Sequence, residues 1–384
     1  MLSEQELEKV LELLQSRFDE VNALFIRKVA AQIKKIGELG QASINRLAIM
    51  AEMTSDVQEI TELLIRATAL SKPEIEAIYA VAMQDTYTDP RFTRAFSAGV
   101  QPPQGTQERL MQYARNVAQQ TAQTVQNLSN TTAVADPYRK AIDRSILAVS
   151  TGLMDYNAAT REIVREIGYN GLQVHYASGY HRRLDTAVRQ NIIDGTKQIA
   201  QHGANAMGEA LQYREIEISA HANSAPDHEP VQGRVFAKAE YDKMQSGQSF
   251  VDITGAAFAG FKRPIAEWNC GHIALPFDSR YSKPRFSTEQ LQSWAAKNNA
   301  GCEIDGKHYT GYQAQQLMRR LETEVRRWKD TANAARVAGD DTLRRQCQTR
   351  INALAAKYAQ VSKLSGLPMR KQRMSVEGFK MVKV

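Results

Sequence analysis

Two apolar stripes of identical spacing near the C-terminal end constrain this chain more than any other feature. Leu317, Leu321, Val325, Trp328, Ala332 and Ala335 recur at steps of four, four, three, four and three, and Leu343, Cys347, Ile351, Leu354, Tyr358 and Val361 repeat those steps. Steps of three and four place side chains on one face of a helix. Gly339-Asp340-Asp341 between the stripes supplies a turn and a helix cap. Two equal faces joined by a tight turn bury each other as an antiparallel helical hairpin, assigned to 309–365.

Helix dominates elsewhere too. Leu7, Val10, Leu14, Phe18, Val21, Phe25 and Val29 form one stripe from Ser3 to about Ile36, opened by a Ser3/Glu6 capping box and broken by Gly37 and Gly40. Shorter helices are expected at Ala42 to Met53, from Ser55, and from Ser71-Lys72-Pro73-Glu74, where cap, early proline and third-position acid coincide. Ser97-Ala98-Gly99-Val100-Gln101-Pro102-Pro103-Gln104-Gly105 is a linker, and helices resume at Gln107 to Gln126, Pro137 to Thr151, Asn157 to Ile167 and Arg183 to Leu211. The last is long enough to act as a spine. Tyr176 to Arg183 reads as a loop packed at its start.

After Tyr213 the pattern changes. Glu215-Ile216-Glu217-Ile218-Ser219 alternates as a half-buried strand does, and Arg234-Val235-Phe236 and His272-Ile273-Ala274-Leu275 are its candidate partners. The chain therefore reads as mainly α, with a small α+β insert at about 213–308. Its parts are an N-terminal helical region (1–96), a central helical region (106–212), the insert, the hairpin (309–365) and a tail (366–384).

The insert carries the chemistry. One cluster runs from His221-Ala222-Asn223-Ser224-Ala225-Pro226-Asp227-His228 through Gln232-Gly233-Arg234-Val235-Phe236, and a second is Trp268-Asn269-Cys270-Gly271-His272, ending at Pro276-Phe277. His221, His228, Cys270 and His272 are a ligand set that suits tetrahedral zinc. The same side chains equally form a hydrogen-bonded loop knot, with Asp227 tying backbone amides. A third reading is catalytic: Cys270 as nucleophile beside His272 or His228, or a metal-dependent hydrolase (peptidase or nuclease) with Asp227 or Glu229 as general base. No phosphate-cradling glycine loop is present: Gly255-Ala256-Ala257-Phe258-Ala259-Gly260 lacks the lysine. His175, His181, His202 and His308 stand alone.

Charge is unevenly spread. From Arg319 to Val384 there are sixteen Lys/Arg and six Asp/Glu, a net of +10 within a chain total of +7. Arg319, Arg320, Arg326, Arg327, Arg344, Arg345, Arg370, Lys371 and Arg373 are the expected DNA-facing residues of this arm, with a solvated helix face as the alternative. From Gly366 onward an extended basic tail is expected. No run of apolar residues is long enough to span a membrane, and Met1-Leu2-Ser3-Glu4-Gln5-Glu6 lacks the form of a signal peptide. Three widely spaced cysteines outline no disulfide framework, which fits a reducing compartment.

The two clusters resemble the signature of tailed-bacteriophage minor capsid proteins of the "minor capsid protein 2" type, distant relatives of the Mu F-like head-morphogenesis proteins. Asn127-Leu128-Ser129-Asn130-Thr131-Thr132, Tyr176-Ala177-Ser178-Gly179 and Tyr309-Thr310-Gly311-Tyr312 running into Arg319 to Arg326 are similar in the same order. Asp227, Gln232, Gly233, Trp268 and Asn269 belong to the shared motif. Two positions depart from it: Ala225 and Gly271 stand where arginines are usual. The resemblance implies a virion component assembled in the host cytoplasm, at the portal or inner shell, acting in head assembly and DNA packaging or ejection. It implies the portal or major capsid protein as partners and no small-molecule substrate, and it implies no established catalysis.

Overall fold

Buried faces recur along nearly every helix of the computed structural model, which describes residues 4–39, 45–151, 156–260, 263–265 and 270–383. In chain order the elements are α1 (Glu4–Leu39), α2 (Arg46–Leu70), α3 (Lys72–Tyr87), α4 (Pro90–Ser97), α5 (Thr106–Thr131), α6 (Ala135–Thr151), α7 (Tyr156–Asn170), β1 (Gln173–His175), β2 (His181–Arg183), α8 (Leu184–Ala210), β3 (Glu215–Ile218) and β4 (Val235–Ala237). There follow α9 (Lys238–Gln245), β5 (Phe250–Val251), β6 (Ala257–Phe258), β7 (Ala274–Phe277), α10 (Thr288–Ala300), β8 (Cys302–Ile304), β9 (Lys307–Tyr309), α11 (Gly311–Ala338), α12 (Asp341–Ser365) and a 3-10 turn at Lys371–Met374. The fold is mainly α with small β elements, as the periodicities indicate.

The chain divides into two compact units, each assembled from separate stretches: Met1–Leu7, Pro73–Thr121 and Ile192–Gln316 in one, Glu8–Lys72, Ala122–Asn191 and Leu317–Val384 in the other. The consecutive segments drawn from linkers and composition do not show this interleaving. A linker marks where the chain is locally irregular, whereas a unit is defined by which distant faces bury one another.

In the unit holding the hairpin, α1 buries Leu14, Phe18, Val21, Phe25 and Val29 as its stripe requires. It also runs past Gly37 to Leu39, a glycine in a helix costing only about 1 kcal/mol. The cap signals around Ser55 open no new helix: α2 is one helix through them. Thr54 Oγ1 donates to Met50 O at 2.9 Å, and Asp56 takes Lys28 at 3.0 Å and the Tyr138 hydroxyl at 2.5 Å. Thr54 thus bonds back within the helix, and Asp56 is used for tertiary pairing.

The hairpin forms as its stripes indicate. Asp340 caps α12, accepting from Leu343 N at 2.8 Å, and Gly339 turns with φ +80°. The Tyr358 hydroxyl donates to Glu322 Oε1 at 2.7 Å, joining the two helices in antiparallel sense. Trp328 is only half-buried and meets Tyr169 edge-on at 5.6 Å. α11 buries a further face through Asp330, Thr331 and Ala334. There α7 approaches so closely that a Cβ on Gly168 would lie 2.5 Å from Thr331 Cα. The tail, expected to be extended, is irregular with a 3-10 turn at Lys371–Met374, and it does not hang free. Arg370 N donates to the Tyr358 hydroxyl at 2.9 Å, Lys329 Nζ to Met374 O at 2.7 Å, and Asn333 Nδ2 to Glu377 O at 2.9 Å.

Tyr176 to Arg183, expected as a packed loop, is a hairpin tip: β1 and β2 pair with His175 opposite His181. Tyr176 and Tyr180 at its tip are exposed.

In the other unit the alternating stretch is β3, flanked by β4 and β7 in a three-stranded antiparallel sheet of order β4-β3-β7. Ile218, Val231, Phe236, Met244, Phe250 and Ile265 form one core cluster beneath it. Beside the sheet, α8 holds β7 through Gln201, whose amide donates to Ala274 O and accepts from Ala274 N at 2.8 Å. The short elements α4, α9, β5–β6 and β8–β9 carry too few residues for periodicity to reveal them, and α10 has no apolar stripe, its one buried residue being Asn298.

Candidate metal centre

The two clusters meet because each adjoins the β3–β7 pair. Ile218 lies opposite Ala274 in that pair, and the pairing continues as Ser219 N donates to Ile273 O at 2.8 Å and Ile273 N to Ser219 Oγ at 2.8 Å. The chain leaving β3 at 219–221 therefore runs beside 270–273. Between β3 and β4 the segment 225–233 folds as successive turns: His228 N donates to Ala225 O at 3.0 Å and Gln232 N to His228 O at 3.1 Å. Gly233 closes them at φ +69°, a backbone region that glycine enters without strain.

His228, Cys270 and His272 converge, with one donor atom from each lying within 4.8 Å of the others. They are 1%, 2% and 2% exposed. Cys270 Sγ is 3.4 Å from His228 Nδ1 and 3.6 Å from His272 Nδ1. Ordinary zinc–sulfur and zinc–nitrogen bond lengths at a tetrahedral angle put sulfur and nitrogen about 3.6 Å apart.

The far nitrogens are held. His228 Nε2 donates to Arg263 O at 2.9 Å, and His272 Nε2 donates to Gln232 Oε1 at 3.2 Å. When neutral, both imidazoles turn an unprotonated Nδ1 toward one sulfur, and a thiol has a single proton to offer two such nitrogens. Burial, with His221 and His228 alongside, pushes the His272 pKa down to about 3 and keeps that ring neutral. For His228 burial works downward, but the Cys270 sulfur and the Arg263 carbonyl outweigh it and raise the pKa. Outer groups brace the loop. Asp227 receives Arg263 through Nε at 2.9 Å and Nη2 at 2.8 Å. Asn298 Nδ2 reaches Glu229 Oε1 at 2.7 Å and Ser224 O at 3.3 Å. Lys197 Nζ donates to Cys270 O at 2.8 Å. Arg263 Nη2 also stands 3.5 Å from His228 Nδ1, so a cation at the centre competes with that guanidinium.

Of the four side chains the sequence nominates, His221 is not in the group of three: its ring stacks on His272 with centroids 4.6 Å apart. Asp227 and Glu229, the candidate general bases, are committed to Arg263 and to Asn298 with Asn299. Gln232 serves as acceptor for His272, and Gly233 as the turn. Trp268 and Asn269 lie outside the described residues. Sequence reasoning missed Arg263, Lys197 and Asn298, since each is an isolated polar residue with no spacing to mark it, and it gave Ser224, though inside the first cluster, no role. The remaining histidines are not members of this group. His202 stacks on Tyr113, His308 bonds Ala300 O, and His175 faces His181.

The basic arm divides. Arg319, Arg320, Arg345 and Lys371 are exposed, while Arg327, Arg344, Arg370 and Arg373 are half-buried. Arg327 lies over the Tyr169 ring at 4.9 Å, and Arg373 is 3.8 Å from Glu322. Arg326 does not fit a DNA-facing assignment: it is 9% exposed and bonds the buried Asp185 carboxylate, so its charge is spent inside the unit. Among the described residues no helix is long and apolar enough to cross a membrane.

A mainly helical chain whose small antiparallel sheet brings two histidines and a cysteine together is the class these observations define. The family model for phage minor capsid protein 2 matches residues 2–361, and the chain belongs to that family. It is accordingly a structural component of the phage virion. No curated protein and no solved structure matches it.

Proposed function

We propose that this chain acts at the portal or inner face of the phage head, in head assembly and in DNA packaging or ejection. Its partners in this reading are the portal or the major capsid protein and packaged double-stranded DNA. The observation that carries it is the family match across 2–361. Support for the DNA contact comes from Arg319, Arg320, Arg345 and Lys371, all exposed on the hairpin and tail. All three cysteines are free thiols, in keeping with assembly in the reducing host cytoplasm.

The test is fluorescence anisotropy of the full chain with duplex DNA across a salt series. Each phosphate contact contributes about −0.9 to the slope of log affinity against log salt. Arg319→Glu with Arg320→Glu flattens that slope; an affinity indifferent to salt would remove the DNA role.

In the same reading His228, Cys270 and His272 hold zinc as a structural centre, and the chain is no enzyme. The engagement of Asp227 by Arg263 and of Glu229 by Asn298 supports this over the hydrolase alternative. Elemental analysis of protein purified without chelators checks it: one zinc per chain, lost in Cys270→Ser. Metal-free wild-type protein would leave only a hydrogen-bonded knot.

A further inference from the structure

Three ligands leave one tetrahedral position to fill, and the neighbours narrow the choice. Asp227 has both carboxylate oxygens on Arg263. Glu229 has both of its own on Asn298 and Asn299. The Gln232 carbonyl oxygen accepts from His272 Nε2 and from His221 N at 3.1 Å. Each of these oxygens is already committed where it stands.

His221 differs from all three. Its Nδ1 is 3.0 Å from Ala222 O, and a carbonyl only accepts. Nδ1 therefore carries the proton, and Nε2 keeps the lone pair. That is the arrangement seen at His228 and His272, where one nitrogen is held by an acceptor and the other is left as a donor to metal. The ring is half-buried and already beside the centre, stacked on His272 at an interplanar angle of 22°. Its Nε2 lies against the Cys270–His272 step: a Cβ on Gly271 would be 2.7 Å from that nitrogen. No side chain at 271 fits while His221 occupies this place.

We infer that His221 is the fourth ligand of a closed metal site, and that Gly271 is the residue whose missing side chain lets it reach the centre. The inference rests on the metal reading proposed above. Closure turns the His221 ring off His272 and toward the sulfur. Cys270 as a thiolate, its proton released to solvent, and three neutral imidazoles would hold the divalent cation. Four protein ligands leave no position for a reactive water, which makes the centre a staple between the loop after β3 and the segment before β7.

The test uses the full-length protein, stripped and reloaded with Co²⁺, and reads its visible absorption with and without azide. Wild-type protein is expected to give intense tetrahedral bands with a sulfur-to-cobalt charge-transfer band, unmoved by azide. His221→Ala is expected to keep the charge-transfer band, bind at least about tenfold more weakly and respond to azide. Gly271→Ala is expected to behave likewise with the imidazole still present. Circular dichroism of each variant separates ligand loss from unfolding, and the azide response of the wild-type protein decides even if a variant fails to fold. An azide-sensitive wild-type spectrum, or a His221→Ala protein indistinguishable from wild type, overturns the fourth ligand while leaving the metal reading intact. A wild-type chain that binds neither Co²⁺ nor Zn²⁺ overturns both.

Discussion

Arg183 donates to the Asp330 carboxylate at 2.6 Å although 147 positions separate them in the chain. Around this pair Asn22 Nδ2 donates to the same Asp330 oxygen at 3.2 Å while its Oδ1 accepts from Leu172 N at 2.8 Å. Asp185 receives Arg326 and, at 3.4 Å, Arg183. All five side chains are buried. Removing one partner leaves an uncompensated charge in the interior, which costs far more than the intact pair contributes.

Asp330→Ala is therefore expected to destabilise its unit by about 3–5 kcal/mol in urea unfolding followed by circular dichroism. A loss below 1 kcal/mol, roughly what an exposed ion pair contributes, would show that the Arg183 charge is satisfied without Asp330.

Close helix contact predicts a second outcome. Gly168→Ala places a Cβ 2.5 Å from the Thr331 backbone. Overpacking of this kind costs about 1–3 kcal/mol, read as a lower melting temperature. Gly99→Ala is a control without crowding, since nothing lies within 4 Å of its Cβ position, though its φ of +86° adds backbone strain of its own.

One hydroxyl anchors the start of the tail. Tyr358→Phe removes the acceptor for Arg370 N and the donor to Glu322. Limited trypsin digestion is expected to cut after Arg370 and Lys371 several times faster, with the helical signal unchanged. Equal cutting rates would place the anchoring at Lys329 and Asn333 instead.

Asp252 makes the α+β module acid-sensitive. Burial pushes its pKa upward, but bonds from Thr254 Oγ1, Ala256 N, Arg234 and Thr254 N outweigh that and hold it below the usual carboxylate range. A folded pKa below the unfolded one contributes stability above about pH 4, and this is lost as pH falls through the folded value. Between pH 5 and pH 3 the urea midpoint is expected to drop more in the wild type than in Asp252→Asn. Parallel drops would rule Asp252 out as the acid-labile group.

Bracing residues around the centre give a graded prediction. Arg263→Ala frees Asp227 and loosens the carbonyl that orients His228, so zinc affinity is expected to fall about 10–100-fold by competition with a chromophoric chelator. Cys270→Ser removes a ligand and is expected to fall further. If Arg263→Ala tightens binding, competition from its guanidinium for His228 Nδ1 outweighs its bracing.

Much of this was legible in order and spacing. The hairpin follows from two stripes and the Asp340 cap, and β3 with both partners follows from alternation and turn residues. The motif histidines and Cys270 pointed to the centre. What failed did so for a physical reason. Ser55 resembles a helix start, yet Asp56 beside it is occupied by Lys28 and Tyr138 inside an unbroken α2. Arg326 resembles the exposed arginines of the arm in sequence, but its place on α11 turns it to Asp185.

Local sequence determined the helices, the cap at Asp340, the strand at 215–218 and the supply of histidines and cysteine, because propensity, capping and periodicity act within a few residues. Tertiary structure alone decided which distant stretches share a unit, which arginines face solvent, and how the two clusters meet. It brought His228 to Cys270 and left His221 stacked on His272. Those outcomes depend on long-range burial and on the β3–β7 register, which no short window of sequence contains.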